Sequence, residues 1–221
     1  MQGFTISAKH YELLKSKKKG KAMNVVCLDL EGVTSPEIWI EFANAVGVPE
    51  LRKTTRDEPD YDKLMQYRLA LLKEHGLGLK EIQQTIAGIE LLPGAREFMD
   101  ELRSFAQVII LSDTFEQFAR PIMEKLGNPT IFCHQLEVAD SGEITGYKLR
   151  IDDQKRKTVQ ALKSLNFNVI SAGDSYNDVG MIQESKAGAL FRTTDALKQQ
   201  YPEIPALETY DELLKFIREN W

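Results

Sequence analysis

The sequence predicts an α/β fold: a doubly wound parallel sheet with a small helical domain inserted after the first strand. Short, nearly continuous apolar runs at 24–30, 107–112, 130–133, 168–172 and 187–191 alternate with helix-patterned stretches, as strands buried on both faces by crossover helices do. Between the first two runs, residues 36–92 are helical in pattern throughout, far longer than the roughly dozen residues that one crossover needs. Three of the runs finish in acid or hydroxyl groups, VVCLDLEG at 25–32, VIILSDT at 108–114 and VISAGDSYND at 169–178. Parallel sheets bind ligands at the carboxyl ends of their strands, so the three endings point to one site.

Taken in order, the first run carries Asp29 and Glu31 two residues apart, a spacing that puts both on one face of a strand. In the insert, Ile38–Val46, 64–73 and 79–87 repeat apolar residues at a period near 3.6, and Pro49, Pro59, Gly76 and Gly78 punctuate them. After Pro93 and Gly94, Ala95–Phe105 is the helix leading back to the second strand. Residues 136–149 hold Asp140, Ser141 and Gly142 between alternating residues, a hairpin signal. Helices are expected over 155–165 and 177–186, and an amphipathic helix over 209–219 carries Asp211 and Glu212 in its first turn. The assignment that follows is a core domain of 23–35 and 93–221, a helical cap domain of 36–92, and an N-terminal extension over 1–22. That extension is basic around 15–21, its HYELLKSKKK run at 10–19 fits one short amphipathic helix, and it lacks the apolar core of a signal peptide.

The chain of 221 residues has 43% hydrophobic and 28% charged residues and a net charge of −5. These values are those of an ordinary globular protein and argue against general nucleic-acid binding, which wants a basic face. No apolar run approaches the roughly 20 residues of a membrane span. Cys27 and Cys133 each sit in an apolar run and read as core packing, in keeping with a reducing cytoplasm.

An acid at the end of a buried strand is costly unless it pairs, binds a metal or reacts. Carboxylates at two or more strand ends, with no His or Cys beside them, suit a hard cation such as Mg²⁺. Ser112, ahead of an expected helix start, is an anion seat, and Lys155 or Lys157 supplies a balancing cation. Phosphoryl transfer is the reaction class these parts serve, with an aspartate able to attack phosphorus directly. His75 and His134 show no ligand spacing and take no role.

DLEGV, LSDT, the Lys-rich DDQKRK and GDSYND resemble the four ordered motifs of the haloacid dehalogenase-like phosphohydrolases, over residues 23 to the end. The helical insert between the first two motifs resembles the cap of phosphoserine phosphatase and phosphoserine:homoserine phosphotransferase members, as do TSPEIW, TTRDEPDYDKLMQYR and CHQLE. The resemblance implies a Rossmann-like core and Mg²⁺-dependent hydrolysis of phosphoserine through an aspartyl-phosphate, with homoserine as a second acceptor and a homodimer as the assembly. It makes Asp29 the nucleophile and Glu31 the general acid and base. Ser112 and the Asp113 backbone would hold the phosphate, and Lys155, with Lys157 as the alternative, would neutralise it. Asp29, the Glu31 backbone carbonyl and Asp174 would hold the metal, while Asn177 and Asp178 orient phosphate and metal water. In the cap, Arg68 would read the substrate carboxylate and Glu37 its amino group.

The family's usual second acid is Asp, and here it is Glu31. The added methylene shifts the proton-transferring oxygen by about a bond length, a displacement large enough to alter rate. Slower activation of water would leave the aspartyl-phosphate open to an alcohol. Two other functions stay open at this point. One is the same mechanism on a sugar phosphate, nucleotide or enol phosphate; the other is a phospho-Asp receiver module, which is usually a compact domain with little need of the insert.

Overall fold

The computed structural model describes residues 22–55, 57–58 and 60–221; the short helix expected at 10–19 and the break at Pro59 lie outside them. Seven strands form one sheet in the order β4-β3-β2-β1-β5-β6-β7. They are β1 Met23–Leu28, β2 Val108–Phe115, β3 Thr130–Val138, β4 Ile144–Lys148, β5 Phe167–Gly173, β6 Ala187–Phe191 and β7 Ala206–Leu207. All neighbours run parallel except β3 and β4, which pair antiparallel with Gln135 opposite Lys148. Side chains of β1 alternate: Val26 and Leu28 join one apolar cluster, Val25 and Cys27 the other, so the strand is buried on both faces.

Four helical segments follow β1 within the insert: α1 Ile38–Val46, a 3₁₀ turn Pro49–Arg52, α2 Tyr61–Glu74 and α3 Leu79–Gly88. The helix α4 Ala95–Phe105 then enters β2, followed by α5 Glu116–Lys125, α6 Gln154–Ser164, α7 Val179–Glu184, α8 Asp195–Gln200 and α9 Tyr210–Glu219. Helix ends follow local chemistry. Asp60 caps α2 by accepting the Lys63 N–H at 3.2 Å, and Gly47 closes α1 at φ +71°, a left-handed conformation that favours glycine. Thr209 and Glu212 form a reciprocal capping box at α9.

Three boundaries differ from the sequence expectation. The strand β2 continues through Thr114 and Phe115, both buried, so the helix expected directly after Ser112 starts at Glu116. The expected hairpin exists, but its first arm is the end of the long strand β3. The stretch 177–186 opens as a 3₁₀ turn at Tyr176–Asp178 before α7.

The insert packs onto the rest of the molecule through shared core. Trp39 of α1 meets Phe118 of α5 edge-on at 5.7 Å between ring centres, inside an apolar cluster that also holds Val26 and Phe98. Pro121 within α5 has no N–H for the Gln117 carbonyl four residues back. Gln83 of α3 donates its side-chain amide to that carbonyl at 3.0 Å instead. On the other flank the Leu79 N–H donates to the Gly142 carbonyl in the β3–β4 turn at 2.9 Å, Lys73 pairs with Glu143, and the Tyr147 hydroxyl bonds Asp62. Among the described residues, no helix is long and apolar enough to cross a membrane.

Candidate active site

At the carboxyl ends of β1 and β5, Asp29, Asp174 and Asp178 are buried with carboxylate oxygens within 4.8 Å of one another. Lys155, at the start of α6 and 3% exposed, places its Nζ 2.9 Å from Asp29 and 2.7 Å from Asp178. Lys157 points elsewhere, to Asp152 on the surface, because neighbours two apart on a helix lie on different sides. Burial pushes the Asp29 carboxyl well above its usual range, with the charges of Asp178 and Asp174 adding to it against the pull of Lys155. For Lys155, burial alone would lower the ammonium, but Asp178, Asp29 and Asp113 outweigh it and hold the group charged. Three carboxyl groups beside one ammonium make an all-oxygen donor set, which fits a hard divalent cation.

Backbone conformation makes this cluster possible. Gly32 has φ +76°, and a Cβ there would stand 2.4 Å from Asp174 Cγ. Asp178 Oδ2 accepts the N–H groups of Asp174 and Ser175, each at 3.0 Å, so it fixes the turn that carries Asp174. The Thr193 hydroxyl donates to the Asp174 carbonyl from beyond β6.

Glu31 departs from the same-face expectation. The strand ends at Leu28, and the Thr34 and Ser35 N–H groups fold back on the Leu30 carbonyl, so the period of two no longer applies. Asp29 faces Lys155, whereas Glu31 Oε2 accepts the Ile38 N–H of α1 at 3.0 Å. Its side chain therefore lies outside the three-aspartate cluster. Burial and the charge of the adjacent Glu37 push the Glu31 carboxyl up to about 8, where it can hold and release a proton near neutral pH.

Arg68 of α2 is 6% exposed, stacks over Trp39 at 4.3 Å and donates to the Lys53 carbonyl at 2.8 Å. Its Nε is the one buried side-chain polar atom among the described residues that lacks a hydrogen-bond partner. Burial lowers the guanidinium to about 10, while Tyr61, Glu31 and Glu37 pull the other way. It stays charged at neutral pH and lies within electrostatic reach of both glutamates.

Ser112 is buried at the end of the apolar part of β2 and accepts the Thr114 N–H. Asn177, expected to orient phosphate, donates its amide to Asp113 at 2.7 Å. Gln154 and His134 reach Ser112 and Asp113 from α6 and β3, and Tyr61 reaches them from the insert; these two residues lie where the β2 ladder breaks register between Leu111 and Phe115, a loop-like bulge within the strand. Sequence reading passed over Gln154 and gave His134 no role. The first abuts Lys155 in a charged stretch and the second lies 21 residues after Asp113, so only the fold joins them.

Comparison with known proteins follows the same lines. Residues 28–183 match the haloacid dehalogenase-like hydrolase family. The chain is 53% identical over 191 residues to a Pseudomonas aeruginosa protein named phosphoserine phosphatase ThrH, covering 86% of this chain and 93% of that one. It is 51% identical to a phosphoserine phosphatase of Pseudomonas syringae pv. tomato, covering 88% and 82%. A solved phosphoserine phosphatase with a phospho-aspartyl intermediate analogue superposes with a TM-score of 0.73 at 23% identity, covering 89% of this chain and 99% of that one, a likeness of fold. With its acid strand ends, buried lysine and helical insert, the chain belongs to the haloacid dehalogenase-like hydrolases.

Proposed function

We propose that the protein is a Mg²⁺-dependent phosphoserine phosphatase that works through an aspartyl-phosphate and also transfers the phosphoryl group to homoserine. The observation that carries it is the buried cluster of Asp29, Asp174 and Asp178 closed by Lys155. The names of the relatives at 53% and 51% identity support the substrate. Asp29, the backbone carbonyl of Glu31 and Asp174 would hold the cation, with Asp178 ordering the turn beneath them. When bound, the cation would supply positive charge that offsets the phosphate's and keeps the Asp29 carboxylate ionised.

An Asp29 oxygen attacks phosphorus, the ester P–O bond breaks, and the Glu31 carboxyl gives its proton to the departing serine oxygen. Glu31, now a carboxylate, takes a proton from water or from the homoserine hydroxyl, whose oxygen attacks phosphorus and frees Asp29. Lys155 balances charge on the nucleophile and the phosphoryl oxygens, and Ser112 with the Asp113 backbone seats them. Arg68 takes the substrate carboxylate, for which its flat fork and unmet Nε are suited, and Glu37 takes the amino group. The insert 36–92 acts as a cap domain over the core of 23–35 and 93–221, excluding bulk water from the acyl phosphate.

Supplying phosphoserine and Mg²⁺ with and without homoserine, while following free phosphate and O-phosphohomoserine, tests the assignment. Multiple turnovers are expected from the wild type, and a loss of at least about a thousandfold from Asp29→Asn, which lacks the nucleophile. Normal turnover by Asp29→Asn overturns the mechanism, and absence of the phosphorylated alcohol overturns the transfer.

A further inference from the structure

Asp113 presents a physical problem. It puts a carboxylate in the very loop that, on the function proposed above, seats a phosphate dianion, and bare like charge there weakens binding. The structure shows where that carboxylate is engaged. Oδ2 accepts the Asn177 amide at 2.7 Å, Oδ1 accepts the Gln154 amide at 3.0 Å, and His134 Nε2 stands 3.5 Å from Oδ1 and 3.3 Å from the Gln154 amide nitrogen. His134 Nδ1 accepts the Arg150 backbone N–H at 3.1 Å, which leaves the ring proton on Nε2, facing Asp113. Burial alone would raise the Asp113 carboxyl, but the charge of Lys155 and these donors outweigh it and hold it below its usual range. The loop's carbonyls are held as well. That of Ser112 accepts from Gln154 at 2.6 Å and that of Asp113 from the Tyr61 hydroxyl at 3.2 Å. Because each peptide is planar and trans, a held Ser112 carbonyl also fixes the direction of the Asp113 N–H.

We propose that Asp113 is a positioning residue whose carboxylate ties the phosphate-seating loop to β3, α6 and the turn after β5, with His134 and Gln154 as its supports. Donors from three separate elements converge on this one side chain. The loop geometry is therefore set before substrate arrives, and the cost of a negative charge near phosphate is offset by a seat that needs no reordering.

The two readings of Asp113 predict opposite signs. Inorganic phosphate is used as a competitive inhibitor of aryl phosphate hydrolysis by the full chain with Mg²⁺. If Asp113 positions the loop, Asp113→Asn raises the phosphate Ki by about tenfold, the usual scale for a lost charge-assisted hydrogen bond. If it is merely a nearby negative charge, neutralising it lowers Ki. His134→Phe keeps a ring beside Tyr61 and Phe115 and removes the donor without changing charge; it is expected to raise Ki severalfold, and it decides the matter if Asp113→Asn does not fold. An unchanged or tighter Ki in either folded variant overturns this inference while leaving the phosphate seat intact. A wild type that hydrolyses the aryl phosphate yet ignores inorganic phosphate overturns the seat and the inference together.

Discussion

On the function proposed, Arg68 is the single side chain that would constrain the substrate most. A buried guanidinium with an unmet Nε carries a desolvation cost that a carboxylate can offset with two parallel hydrogen bonds. Lysine keeps the charge but not the fork, so Arg68→Lys should raise KM for phosphoserine by about 10- to 100-fold. The loss should be clearly smaller on an aryl phosphate without a carboxylate, and equal losses on both substrates would remove Arg68 from substrate reading. Glu31 sets the second constraint, since its reach to the Ile38 N–H and to Glu37 depends on its full length. Glu31→Asp should lower the ratio of O-phosphohomoserine formed to phosphate released, measured with both acceptors present.

Elements decide how these residues meet. The turn after β1 works only because Gly32 tolerates φ +76° and leaves space that a Cβ would fill 2.4 Å from Asp174 Cγ. Gly32→Ala should therefore push Asp174 out of the cluster, cutting turnover by at least about a hundredfold and raising the Mg²⁺ concentration for half-activity. The capping box of α9 is closed by Thr209 and Glu212, next to Tyr210, whose hydroxyl donates to the Val33 carbonyl at 2.7 Å. Thr209→Ala should cost about 1 kcal/mol and lower the melting midpoint by roughly 2–4 °C, with kcat unchanged. The helix α5 shows how an apparent defect is used: Pro121 frees the Gln117 carbonyl, and Gln83 of α3 takes it, pinning the insert where no periodicity signals a contact.

For the whole molecule, the apolar cluster shared by the insert and the core predicts one folding unit. A single apolar cluster runs from Val26 and Ile110 to Phe42, Leu51 and Ile86, so removing residues 36–92 would bare that surface rather than yield a smaller enzyme. Denaturant unfolding followed by near-UV and far-UV circular dichroism should give coincident transitions; two separated ones would show an independent cap. Binding a divalent cation at the acid cluster should stabilise the fold by mass action. At about a hundredfold excess over Kd, Mg²⁺ should raise the melting midpoint by about 5–10 °C relative to protein in chelator, and no shift would argue against a metal there.

The alternation of strands and helices from β1 to β6, the helical pattern after β1 and the acids at the strand ends were legible in the sequence, because each is a local pattern of apolar period and punctuation, whereas the short α8 and β7 were not read. A balancing lysine was legible too, yet Lys155 and Lys157 stayed unseparated until the helix turned one of them inward. Only the tertiary structure decided that Glu31 faces α1 rather than Asp29, that Asp178 lies within the acid cluster, and that His134 and Gln154 stand behind Asp113. The reason is physical. A strand's alternation stops where its hydrogen-bonded ladder stops, and contacts between residues distant in the chain are set by packing, which no local repeat encodes.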